Sequence, residues 1–219
     1  CREPLPAGIW SSHTPFLRPP ALILRDSSMP NDAVSTVGPI RLWASAQVKD
    51  KELRIEYILS NAGPTGVFFD AYPDDGERET FMEGRAFLSL SSDAAQLHVS
   101  LSPPPLPDDA DYYRPVLSLA RWVPGLGQFR GEIRCPIPVE EWSPYADPRY
   151  AEKEEVEVQV EQILLSTAWF ADDRALWRED GPVPGTYWTE GRPIFPISVL
   201  LSTETPFHVL RRLDDLARF

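Results

Sequence analysis

The sequence predicts a mainly β protein, an antiparallel sandwich of roughly nine short strands. Three observations carry this expectation. Several segments alternate apolar and polar side chains with period two, the repeat of a half-buried strand. Proline accounts for 24 of the 219 residues, about twice the usual ~5%. A residue with no backbone N–H and a fixed φ belongs in loops and strand ends rather than helix interiors. Clusters of Gly, Pro, Asn, Asp and Ser separate the alternating segments at short intervals, as turns do.

Taken in order, residues 1–37 read as an extended arm. It carries Pro4, Pro6, Pro15, Pro19, Pro20 and Pro30, and only residues 21–24 suit a short strand. Trp10, Phe16 and Leu17 are apolar pegs suited to docking in grooves, and such an arm is expected to pack on its own domain or on a partner chain. The body, residues 38–204, opens with a hairpin. In residues 40–48 (IRLWASAQV) Ile40, Leu42, Ala44, Ala46 and Val48 share one face; Lys49-Asp50-Lys51 turns; in residues 52–61 (ELRIEYILSN) Leu53, Ile55, Tyr57 and Leu59 point inward. Asn61-Ala62-Gly63-Pro64-Thr65-Gly66 is a loop of turn formers, and residues 67–71 (VFFDA) make a third strand.

This opening resembles bacterial immunoglobulin-like domains over about residues 38–100: a strand, a strand ending near Asn61-Ala62-Gly63, a loop and a short aromatic strand. The resemblance implies an immunoglobulin-like sandwich and no particular activity.

Residues 72–80 read as an acidic turn, and 84–90 and 96–101 as short strands that place His98 opposite Leu97 and Val99. Residues 102–107 (SPPPLP) form a rigid crossover. Strands over 114–123 and 128–137 flank a hairpin turn, Pro124-Gly125-Leu126-Gly127. A loop of about 18 residues (PVEEWSPYADPRYAEKEE) follows. Residues 155–170 give the strongest β signal: Val156, Val158 and Val160 alternate with Glu155, Glu157, Gln159 and Glu161. That run is long for one strand, so a bend or bulge is expected near Gln162. Residues 174–185 read as loop. Residues 186–188 and 194–201 read as the last strands, Pro196 marking an edge. Residues 205–219 are expected to form an amphipathic helix, with Pro206 at its first position and Phe207, Leu210, Leu213 and Leu216 recurring every third residue. That helix either caps the sandwich or docks on a partner.

The net charge of −12 disfavours nucleic acid and anionic lipid head groups as partners. There is no apolar run long enough for a transmembrane helix. Cys1, followed by the Pro-rich Arg2-Glu3-Pro4-Leu5-Pro6, resembles the start of a mature bacterial lipoprotein. The resemblance implies a lipid on Cys1 as the sole membrane attachment, and an extracytoplasmic location in the periplasm or on the outer surface. The even cysteine count also allows a Cys1–Cys135 disulfide, which would compete with lipidation. Cys135, inside GEIRCPIP, reads instead as a buried small hydrophobe.

Little in the chain speaks for chemistry. His13, His98 and His208 are scattered and none accompanies a serine elbow. Two cysteines and three histidines make no zinc site, and no cofactor is implied. Two acidic groups, Asp70, Asp74, Asp75 and Glu77, and Asp108, Asp109 and Asp111, have oxygen ligands that suit Ca²⁺ but read more simply as solvated turns. Glu140 and Glu141 are adjacent on a strand end and point opposite ways, so they do not form a glycosidase pair. The aromatics speak for binding. Tyr112, Tyr113, Trp142, Tyr145, Tyr150, Trp169, Phe170, Trp177, Tyr187 and Trp188 lie in or beside loops, as interface anchors do.

The expectation is a non-catalytic accessory subunit that docks on other proteins of a larger membrane or envelope complex through Trp10, Phe16, Trp142, Tyr145, Tyr150, Phe207 and Leu210. Two alternatives stand beside it. One is an immunity or inhibitor protein steered by its charge onto a basic toxin or enzyme. The other is a carbohydrate-binding module.

Overall fold

The computed structural model describes residues 32–73, 84–103, 118–142, 155–173, 177–190 and 194–212. Along them run β1 (Asp32–Val37), β2 (Ile40–Lys49), β3 (Glu52–Asn61), β4 (Val67–Pro73), β5 (Phe87–Leu90), β6 (Gln96–Ser100), β7 (Ser118–Val123), β8 (Gln128–Pro136), β9 (Val139–Glu140), β10 (Glu155–Ala171), β11 (Trp177–Asp180), β12 (Thr186–Glu190) and β13 (Phe195–Arg212). The protein is mainly β, with no helix among the described residues.

The strands form two sheets. The smaller has the order β1-β2-β3-β8; the larger runs β11-β12-β7-β4-β10-β13-β9, with β6 beside β10 and β5 beside β6. The inward residues of both sheets make one apolar cluster. Ile40, Leu42, Leu53, Ile55 and Leu59 come from the smaller sheet, and Phe69, Leu97, Leu119, Ile163 and Phe207 from the larger; all are at most 1% exposed. The hairpin β2–β3 follows the expected alternation residue for residue. Its two-residue turn places Asp50 (φ 52°) and Lys51 (φ 62°) in the left-handed region, as a type I′ turn requires.

Strand β10 bears the bulge expected near Gln162. Val160 pairs with Phe207 but Gln162 with Ser202, so Glu161 faces four residues of β13. The bulge inverts the alternation. Val160 points inward before it, and Ile163, Leu165, Thr167 and Trp169 point inward after it. Pro196 sits opposite Ala168 where, among the described residues, β13 has no second neighbour, the edge position its missing N–H demands.

Several expectations are corrected. Residues 32–37 are strand β1 rather than arm, because they complete the ladder along β2. Residues 177–180 form β11 instead of loop, paired with β12. Two pairings, β10 with β6 and β13 with β9, are parallel, so the larger sheet is mixed and not antiparallel throughout. Pro124-Gly125-Leu126-Gly127 is not a hairpin turn: it carries the chain from the larger sheet at β7 to the smaller at β8.

The largest correction is at the C-terminus. Residues 205–212 are strand, paired with the first half of β10, and not the start of a helix. The three-residue recurrence of Phe207 and Leu210 coincides with a period-two pattern. Phe207, Val209 and Arg211 all point inward and are buried, and the ladder to residues 155–160 decides in favour of strand. Pro206 lies within the bulge, where the ladder asks for no N–H from it. Residues 213–219, and the arm expected over residues 1–31, lie outside the described residues.

Candidate binding surface at the sheet crossovers

The chain crosses from the smaller sheet to the larger through residues 62–66 and returns through residues 124–127. Asn61 binds these two crossings together. Its side chain is 2% exposed and its amide donates to the Thr65 carbonyl at 2.8 Å and the Pro124 carbonyl at 3.2 Å. Its carbonyl oxygen accepts the Gly63 N–H at 2.9 Å. The Asn61 backbone N–H reaches Gly127 O at 2.9 Å, and Leu126 N–H reaches Gly63 O at 2.9 Å. A Cβ on Gly125 would stand 2.1 Å from Pro64 O, so only glycine allows the two loops this close. The sequence supplies the matching residues: Asn as a side chain with both donors and an acceptor, and glycine where backbones meet.

This support presents two apolar side chains to solvent. Leu126, held at φ 59°, is 72% exposed. Trp122 is 42% exposed. Its indole lies over Gly66, where a Cβ would stand 2.4 Å from Nε1. Its N–H donates to Asp172 Oδ2 at 3.1 Å, and Asp172 N–H in turn donates to Gly66 O at 3.2 Å. Behind it lies a second apolar cluster on the outer face of the larger sheet. Trp122 is the register partner of Phe68, and Phe68 of Phe170. Phe68 and Phe170 are stacked at 5.5 Å, with Tyr187 edge-on to Phe68 at 5.4 Å. An indole fixed at its N–H, backed by glycine and bordered by the exposed carboxylates Asp172 and Asp173, can take a flat apolar surface and accept hydrogen bonds around it.

Trp122 and Leu126 were not singled out by the sequence. The available signal was a tryptophan two residues before a Pro-Gly-Leu-Gly crossing, but its exposure depends on Gly66 and Asp172, both far away in the chain. Among the residues that were singled out, Trp142 is half-buried, bridges to Leu88 and stacks on Phe87 at 5.1 Å and 2°. Phe207 is 1% exposed, a core residue and not a docking peg, because it faces the smaller sheet. Leu210 is half-buried, paired with Glu157 and Glu140. Cys1, Trp10, Phe16, Tyr145 and Tyr150 lie outside the described residues. Trp169 and Phe170 belong to β10 and are buried, not loop anchors.

Asp70 is another correction. It is 1% exposed rather than part of a solvated turn. It follows Phe68 on the outer face of β4; Ser118 Oγ–H donates to its Oδ1 at 2.7 Å, and Thr167 Oγ–H to its backbone oxygen at 2.8 Å. Asp74, Asp75, Glu77, Asp108, Asp109 and Asp111 lie outside the described residues. His98 is half-buried between the inward Leu97 and Val99, as expected, and His208 stands on a strand with Nδ1 2.7 Å from Glu157 Oε1.

Groups with displaced titration lie away from Trp122. Burial pushes the Cys135 thiol up to about 11; it is a free buried thiol. The Arg134 hydrogen bond, assisted by Arg54, holds Glu132 below the ordinary carboxylate range, on the exposed face of the smaller sheet. Hydrogen bonds from Ser91 Oγ and the Ala95 N–H do the same for Asp93 in the β5–β6 turn. Among the described residues no group of three or more His, Cys, Asp and Glu could hold a metal ion. Nor is any helix there long and apolar enough to cross a membrane.

The chain matches no protein family, no curated protein and no solved structure.

Proposed function

We propose that this chain is a non-catalytic accessory protein that docks on other subunits of a larger envelope complex. A lipid on Cys1 would hold it at the membrane on the extracytoplasmic side. One observation supports the docking reading above the others: Trp122 and Leu126 are exposed apolar side chains on a crossing braced by Asn61, Gly125 and Asp172. Rigid exposed aromatics of this kind are frequent energetic centres of protein interfaces. The immunoglobulin-like comparison is part of the same proposal and extends to two β layers about one core, not to strand order.

The experiment is site-specific photo-crosslinking in cells from position 126, with position 47, on the exposed face of the smaller sheet, as control. The expected result is one defined set of protein adducts at 126, absent at 47 and lost in Trp122→Ala. Equal labelling at both positions, or none at 126, refutes docking through this surface. Mass spectrometry of Cys1 tests the anchor separately; an unmodified thiol removes it.

A carbohydrate-binding reading finds its support at Trp122 rather than Trp142, because Trp142 is stacked on Phe87. Glycan binding that disappears in Trp122→Ala would replace protein docking. The inhibitor reading rests on the charge of −12 and requires tight binding to a basic protein that weakens steeply with salt.

A further inference from the structure

Among the described residues, β13 has an open side. Over residues 195–202 it pairs with β10 alone, and no described residue hydrogen-bonds its other side. The backbone groups facing that side can be named. In an antiparallel pair, two register partners point their N–H and C=O groups either at each other or both away. Ser198 is the partner of Ser166, and the Ser166 carbonyl accepts the Leu101 N–H at 3.0 Å, on the β6 side of β10. Ser198 therefore points its backbone groups away from β10, and Leu200 and Ser202, at alternate positions, do the same. Pro196 has the same phase and no N–H to offer. The side chains of Ser198, Leu200 and Ser202 are exposed on the outer face, Leu200 by 47%. Strand β1 lies in the other layer, with Ala33 and Val37 packed on the core. An open edge is a template for another strand, and folds ordinarily blunt it with lysine, proline or a bulge. Here Pro196 closes one end and the bulge beyond Ser202 closes the other. The residues between them, Ile197-Ser198-Val199-Leu200-Leu201-Ser202, carry no charge. Their outward neighbours, Gln162, Leu164 and Ser166 on β10 and Gln96, His98 and Ser100 on β6, include no Asp, Glu, Lys or Arg. Two copies of a chain of net charge −12 repel, and they repel least where such a strip is what meets.

We propose that a second copy of this chain pairs with β13 along this edge, antiparallel about a two-fold axis at Leu200, so that the two larger sheets run on as one. The register is self-complementary, as a two-fold contact requires. Leu200 meets Leu200 of the second copy, and Ser198 meets Ser202, each pair exchanging N–H···O=C bonds through the groups that face the edge. On the inner face Val199 meets Leu201. Pro196 falls opposite Glu204, where the missing N–H and the bulge end the ladder. An axis at Val199 would set Ser202 against Pro196, and one at Leu201 would set Ser198 against the bulge. Only the axis at Leu200 lets Ser198, Leu200 and Ser202 all pair.

The test is sedimentation equilibrium of the full chain from about 1 μM to about 1 mM, because one pair of edges makes a small, weak contact. The parent should approach the mass of two chains within this range. Leu200→Lys sets like charges opposite each other across the axis and should weaken association about tenfold. Leu200→Glu should do the same. Mixing the two variants should restore association, since opposite charges then meet. A parent that remains a single chain at the highest concentration, or a Leu200→Lys variant that associates as the parent does, overturns the proposal. A mixture no more associated than either variant alone overturns the axis at Leu200. Should a variant fail to fold, the parent still decides: the Ser198, Leu200 and Ser202 amides must exchange with solvent more slowly as concentration rises, and exchange that does not depend on concentration refutes the pairing.

Discussion

Replacing Asn61 should uncouple the two sheet crossings, and the structure sets the size of the effect. Asn61→Ala deletes three side-chain hydrogen bonds, two donated and one accepted. At about 1 kcal/mol net each, that is about 3 kcal/mol. Thr65 and Pro124 are exposed residues, so water can partly re-satisfy their carbonyls, and about 2–4 kcal/mol is expected overall. Asn61→Asp is the informative control. It keeps the acceptor for Gly63 N–H but turns the donating amide into an oxygen facing two carbonyls. The buried carboxylate so created has a raised pKa, so its penalty is full at neutral pH and is relieved as pH falls through that folded value. In urea unfolding, Asn61→Asp should be no more stable than Asn61→Ala at pH 7 and more stable at pH 4. A loss under 1 kcal/mol for Asn61→Ala, or an Asn61→Asp gap that does not change with pH, would refute the account of the crossings.

Other expectations follow from single positions. Gly66→Ala should push the Trp122 indole off its seat, since the added Cβ would lie 2.4 Å from Nε1; the indole N–H resonance should lose its hydrogen-bonded shift, and an unchanged resonance contradicts the geometry. Cys135, held protonated to about 11, should resist alkylation in the native state and react only as fast as the chain opens. Because the folded thiol stays neutral while the unfolded one ionises, stability should fall as pH rises from about 9 to about 11, and Cys135→Ala should lack that part of the slope. Glu132 shows the opposite sign: its folded pKa is lowered, chiefly by Arg134. Its contribution is present at neutral pH and lost on acidification below the ordinary value of 4.5, so parent and Glu132→Gln should converge there. Lys51→Gly removes a non-glycine residue from φ 62° and should stabilise the β2–β3 hairpin by about 0.5–1 kcal/mol in chemical denaturation.

What the sequence revealed of the fold depended on whether burial was one-sided. In β2 and β3 one face is core and the other solvent, so alternation fixed the strands, their inward residues and their hairpin together. The bulge in β10 was legible for a different reason, length. The run is too long for one ordinary strand, and the structure shows what the break does: the inward valines at even positions give way to Ile163 and Leu165 at odd ones. The C-terminal strand was misread because Arg211 occupies an inward position. A charge there disrupts the visible alternation, and the spacing of Phe207 and Leu210 then favours a helix. The misreading thus originates in a residue whose position contradicts its chemistry.

The binding surface was less legible, because it is made by contacts between distant segments. Asn61 announced itself only as a turn former, yet two of its partners are within four residues and a third is 63 positions away. Trp122 read as the penultimate residue of a strand, and strand tryptophans are ordinarily half-covered. Its exposure follows from two facts outside that strand. The chain leaves for the other sheet immediately after Val123, so nothing continues over the ring. Gly66, just before the neighbouring strand β4, has no side chain to cover it. Phe68 and Phe170 likewise gave no outward signal, since adjacent aromatics (Phe68-Phe69, Trp169-Phe170) bury one ring whichever face is inward. That both rings are buried reveals a second apolar cluster on the outer face of the larger sheet, with Trp122 at its end. A surface indole backed by a buried aromatic row loses little conformational freedom on binding. This is why Trp122, rather than the loop aromatics named by the sequence, is where the proposal of a docking protein is most directly tested.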